Sequence, residues 1–166
     1  MNLIIRKMTL EDLSVVVQLD QLSFSLPWPE RSFRSELTDN PASRCWVAEL
    51  DQRVVGMVVA WILVDEIHVA TIATHPDFRR QGIAQRLLSH ALLQAREEGA
   101  QSSFLEVRKS NLAAQELYRK FGYEVTGVRK RYYRDNDEDA ILMSLSSLSQ
   151  DHLLRHGSST TGKEQV

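Results

Sequence analysis

A single cysteine, Cys45, stands among 166 residues, so no disulfide can form within the chain. Its apolar, strand-like setting reads as a buried structural thiol. An excess of charge of one sign is also missing. With 20 basic and 22 acidic side chains the formal net charge is −2, which excludes a general binder of polyanions such as nucleic acid. No apolar run is of membrane length: Val54 to Val64 is the longest and falls short of the roughly 18 residues a span needs. The opening MNLIIRKMTLEDL puts charge where a secretory signal would carry an unbroken apolar core. A soluble cytoplasmic protein with no membrane partner is therefore expected. His68, His75, His90, His152 and His156 lack metal-ligand spacing, and no metal is expected. No internal repeat is found, and the length suits one domain.

What is present is ordinary globular material, 43% apolar and 25% charged, arranged as alternating strands and helices. Leu3 to Met8 predicts a strand, and Thr9 with Asp12 makes a capping-box start for the first helix. After the loop SFSLPWPERSF, Pro29 predicts the first residue of a second short helix. Arg44–Leu50, Arg53–Val64 and Glu66–Thr74 are rich in β-branched and aromatic residues and separated by short turns, as in an antiparallel meander. Apolar residues from Ile83 to Ala95 recur at helical spacing, giving a helix from about Gly82 to Glu98 that Gly99 stops. A strand at Ser103–Arg108, a helix at Leu112–Phe121 and strands at Tyr123–Tyr133 and Asp139–Leu145 follow. The polar stretch from 149 to 166 predicts a disordered tail beyond a domain of residues 1–148. The early turns are too short for parallel crossovers, but the helix after Thr74 can join two parallel strands. The expectation is an α/β (α+β) fold, with a mixed, mostly antiparallel sheet of six to seven strands and about four helices.

The segment HPDFRRQGIAQRLL places Arg79, Arg80 and Gly82 in front of a helix start. That start already presents unpaired N–H groups and a partial positive charge, so an anion such as phosphate fits there. No Gly-Lys-Ser/Thr triplet follows and three spaced glycines are lacking, which excludes a Walker loop and a dinucleotide fingerprint. In LEVRKSNLAAQELYRKFGY, strand alternation puts Glu106 opposite Leu105 and Val107. Asn111 and Tyr118, two helical turns apart, project from nearly the same side of the next helix.

With both segments in hand, the chain resembles the GNAT superfamily of acetyl-CoA-dependent N-acetyltransferases, whose motif Gln/Arg-x-x-Gly-x-Gly/Ala is matched by RRQGIA at residues 79–84. More narrowly, these segments and RYYRDNDEDAILM look like the bacterial ribosomal-protein-alanine N-acetyltransferases of the RimI type. The resemblance implies the GNAT fold and acetyl-CoA as cosubstrate. It implies that Ile72, Ala73 and Thr74 hold the pantetheine arm, and that Arg79, Arg80, Gln81, Gly82, Ile83, Ala84 and Gln85 hold the pyrophosphate, with Asn111 also touching the cofactor. It further implies Glu106 as general base and Tyr118 as general acid in a direct transfer. Pro27 and Trp28 of SFSLPW and the pair Tyr132, Tyr133 would border the acceptor, a protein N-terminus and foremost the N-terminal alanine of a ribosomal protein. A lysine or small-molecule amine acceptor, or a non-catalytic acyl-CoA-binding module, stays open at this point, as do a monomer and a weak dimer.

Overall fold

The computed structural model describes residues 2–157. Strand β1 (Leu3–Lys7) leads into a single 3₁₀ turn. There the Thr9 N–H donates to Asp12 Oδ2 at 2.8 Å, and the turn runs on into helix α1 (Leu13–Ser23). Pro29 lies one residue outside helix α2 (Glu30–Thr38), because its extended backbone (φ −68°, ψ 157°) belongs to the N-cap position and not to the helix itself. Strands β2 (Ser43–Leu50), β3 (Arg53–Leu63) and β4 (Glu66–Thr74) then form the meander. Asp51 and Gln52 make the first tight turn, both at positive φ as a two-residue hairpin loop requires.

Helix α3 (Ile83–Glu97) crosses from β4 to β5 (Ser102–Arg108), and helix α4 (Leu112–Lys120) leads to the hairpin β6 (Glu124–Tyr133) and β7 (Glu138–Leu145). The seven strands lie in the order β1-β2-β3-β4-β5-β7-β6, antiparallel everywhere except between β4 and β5. One sheet face carries α3, whose Ile83, Leu87, Leu88, Ala91, Leu92 and Ala95 pack with Val58, Ala60, Ile67 and Leu105. The other carries α1 and α2, where Leu13, Val16, Leu19 and Phe33 cover Val47, Met57 and Val59.

One irregularity positions everything that follows. Opposite β3, Val59 pairs with Thr71 and Ala60 with Val69, so Ala70 is an extra residue in β4. A bulge of this kind bends its strand. The parallel pairing of β4 with β5 runs from Glu66 to His68 and stops there, just before the bulge. Beyond that point the two strands separate.

The tail corrects the sequence reading. Gln150–Gly157 form helix α5 instead of a disordered extension. Leu153 is fully buried in the same core as α3, and Leu148 is buried beside it. Polar composition hid this because one leucine on a short helix suffices when the core beside α3 is ready to receive it. The expected tail beyond Gly157 lies outside the described residues.

Candidate active site

Where β4 and β5 part, a cleft of about 1050 Å³ opens between the two halves of the sheet. Its floor is the end of β4, including Ile72, Ala73 and Thr74, and one wall is Glu106 to Arg108 of β5. Strand edges that have lost their partners leave backbone N–H and C=O groups free to bond an extended ligand. The Thr74 hydroxyl is buried and has no partner among the described residues, so the floor also carries an unused polar group.

At one end of the cleft stands the N-terminus of α3. Arg80 and Gly82 both have positive φ, 63° and 75°, a conformation glycine adopts freely and arginine does not. Such turns point successive N–H groups inward as an anion-binding nest. Gly82 is the N-cap and supplies no capping side chain, so the N–H groups of Ile83 and Ala84 in the first turn have no intrahelical partner. Arg79, Arg80, Gly82, Ile83, Ala84 and Gln85 all line the cleft, whereas Gln81 does not. The Gln85 side chain donates to the carbonyl of His156 in α5, so its amide group is tied to the tail helix.

Asn111 lines the opposite wall but spends its Oδ1 on capping α4, accepting from the Ala114 N–H at 3.2 Å. Its amide NH₂ is the part left for a ligand. Two helical turns on, Tyr118 is 5% exposed and reaches the same cleft. Burial pushes its phenol well above the ordinary tyrosine range, and no described residue bonds its hydroxyl. Glu106, on β5, lines the same cleft. The His68 ring, hydrogen-bonded through Nε2 to Glu106 Oε2 at 2.6 Å, holds that carboxyl below its usual range, against the opposing pull of burial. The sequence sets His68 aside as a metal ligand for want of ligand spacing and offers it no other role. The partner is 38 residues away, and the clue available was that both residues fall on strands flanking one parallel crossover.

The far rim joins two loops. Trp28 is fixed by its N–H to the buried Asp20 carboxylate at 2.7 Å and by its ring against Phe33 at 5.2 Å. The Arg108 guanidinium lies 3.9 Å above the Tyr133 ring and pairs with Asp135 at 3.0 Å and Glu138 at 3.3 Å. Asp135 in turn accepts from the Ser25 hydroxyl, which clasps the α1–α2 loop to the β6–β7 turn. Trp28 and Tyr133 line the cleft; Pro27 and Tyr132 stand outside it. Cys45 lies away from it, its thiol pushed up to about 11 by burial. Among the described residues no group of His, Cys, Asp or Glu could hold a metal ion, and no helix is long and apolar enough to cross a membrane.

Residues 13–123 match the family model described as the acetyltransferase (GNAT) family. The chain belongs to this family. A Bacillus subtilis protein provisionally assigned as a ribosomal protein bS18-alanine N-acetyltransferase is 40% identical over 139 residues, covering 84% of this chain and 92% of the relative. The Escherichia coli ribosomal protein bS18-alanine N-acetyltransferase is 33% identical over 138 residues, covering 81% and 90%. The crystal structure of the enzyme from Escherichia coli superposes with a TM-score of 0.81 at 29% identity, covering 89% of this chain and 96% of that one. This GNAT chain is accordingly an N-acetyltransferase, and acetyl-CoA is its acetyl donor. The cleft fits that donor: free strand edges suit an arm of amides, and the basic, uncapped start of α3 suits a pyrophosphate.

Proposed function

We propose that the protein acetylates the N-terminal α-amine of another protein, with the N-terminal alanine of a small-subunit ribosomal protein as acceptor. The observation that carries this reading is the pairing of an ionised carboxylate, Glu106, with a buried, protonated phenol, Tyr118, in one cleft. The names of the two relatives support the acceptor.

Acetyl-CoA supplies the acetyl group as a thioester. Attack requires a neutral amine, and at pH 7 about a tenth of α-amines are neutral against under about a thousandth of lysine side chains. An N-terminal acceptor therefore asks less of a carboxylate held below its usual range. As the N–C bond forms the nitrogen becomes strongly acidic, and Glu106 takes its proton. Tyr118 donates to the sulfur as the C–S bond breaks. Its raised phenol looks too weak an acid for a free thiol, but burial raises a departing thiol in the same direction, so the two stay matched. Cys45 offers no alternative, since its thiol is away from the cleft and protonated at neutral pH. The transfer is direct, and the Trp28–Tyr133 rim borders the acceptor chain.

The test is a panel of peptides beginning with alanine, serine or methionine, together with an N-blocked peptide containing lysine, each incubated with acetyl-CoA. The expected product is the peptide acetylated at its N-terminal alanine. Acetylation of the lysine peptide alone would overturn the reading.

A further inference from the structure

His68 is held more firmly than an incidental neighbour would be. It occupies the last position at which β4 still pairs with β5, opposite Phe104, directly before the bulge that opens the cleft. Its ring stacks on Phe104 at 4.5 Å with an interplanar angle of 6° and leans on Trp61 at 5.1 Å. Trp61 is itself tied down by its indole N–H, which donates to Glu36 Oε2 at 2.8 Å. A chain of contacts from α2 through β3 and β4 thus fixes an imidazole whose Nε2 lies 2.6 Å from the Glu106 carboxylate. The imidazole side chain keeps 13% of its surface in solvent and can still exchange protons with water.

We propose that His68 is the positioning residue of the general base: its Nε2–H holds Glu106 Oε2 and turns Oε1 toward the cleft. The inference rests on the reading of Glu106 as the proton acceptor. The ring N–H orients the carboxylate and leaves it a competent base. The proton count does not change: one proton passes from the attacking nitrogen to Oε1, and Nε2 keeps its own throughout.

The charged and titratable groups facing Glu106 are His68 from β4 and Arg129 and Tyr133 from β6. Of the three, His68 is the one hydrogen-bonded to the carboxylate, at 2.6 Å.

The experiment compares the parent with His68→Leu, which removes the hydrogen bond to Glu106, and with His68→Gln, whose side-chain amide can keep it. The expected result is a fall in kcat of about ten-fold in His68→Leu, below the roughly 10²–10⁴ of a group that exchanges the proton itself, with most of the loss recovered in His68→Gln. KM for both substrates should hold. Adding His68→Leu to Glu106→Gln should cost nothing further, because His68 acts through Glu106. A parental kcat in His68→Leu would overturn the proposal. Should Glu106→Gln itself remain fully active, the general-base reading fails instead, so the two failures are distinguishable. Should His68→Leu fold poorly, proton NMR of the parent decides: a downfield ring N–H resonance that vanishes in Glu106→Gln supports the pairing, and its absence from the parent overturns it.

Discussion

Tyr118 and Glu106 reach opposite protonation states by opposite causes. Desolvation dominates at the phenol, whereas a hydrogen bond from His68 outweighs desolvation at the carboxyl. The result is a donor and an acceptor in one cleft at neutral pH. Because Tyr118 is buried and its hydroxyl bonds no described residue, Tyr118→Phe should leave the thermal midpoint unchanged. The same change should lower kcat by about 10²-fold, the usual cost of removing one donor to a developing negative charge. Glu106→Gln should lower kcat by at least about 10²-fold across the pH range. Steady-state kinetics beside thermal melts check both, and a kcat within a few-fold of the parent in either variant would remove that residue from the mechanism. Strand alternation singles out Glu106 in the sequence, and the seven-residue spacing puts Asn111 and Tyr118 on one side of a helix; the proton-transfer roles come from the family resemblance alone. The charge state of Glu106 was not legible there, because its cause is a histidine distant in the chain. The role expected of Asn111 is likewise narrowed by a local bond, its cap on α4, that spacing alone does not display.

At the scale of elements, the strands and longer helices were legible because turns and periodicity are local signals. The bulge at Ala70 and helix α5 were not, since both depend on what lies across from them. Helix α5 is held by apolar and polar groups together: Leu153 is fully buried, its carbonyl accepts from the Ser89 hydroxyl of α3 at 2.8 Å, and His152 Nε2 bonds the Phe121 carbonyl beyond the end of α4 at 2.5 Å. The helix so braces the two elements that flank the cleft, and its own carbonyl at His156 takes the Gln85 side chain from the first turn of α3. Leu153→Ala should destabilise the protein by about 2–5 kcal/mol, the range for a leucine removed from a packed core. Chemical denaturation measures it. A loss under about 0.5 kcal/mol, typical of a surface position, would mean that α5 does not share the core.

At the scale of the whole molecule, the proposed function gives the two sides of the cleft separate tasks. Under it, the basic start of α3 and the end of β4, which line the cleft, take the acyl donor. The α1–α2 loop and the β6–β7 turn form the opposite rim, and they are joined across the cleft by Ser25, Asp135 and Arg108. Arg108 is the hinge of this clasp, since it stacks on Tyr133 while pairing with Asp135 and Glu138. Loops tied to each other hold their shape without substrate, so less ordering remains to be done when an acceptor chain enters. Asp135→Ala removes the link to Ser25 while Arg108 keeps Glu138 and Tyr133. The expected effect falls on one side alone: KM for the acceptor peptide rises several-fold, whereas KM for acetyl-CoA and the thermal midpoint hold. Gly82→Glu is the mirror case, because it adds a side chain and negative charge at a left-handed position in the anion nest. It should raise KM for acetyl-CoA and leave the acceptor KM in place. Initial rates with each substrate varied at saturating levels of the other separate the two. If Asp135→Ala weakened both substrates equally, the clasp would be a support for the entire cleft and the division of the molecule into donor and acceptor sides would not hold.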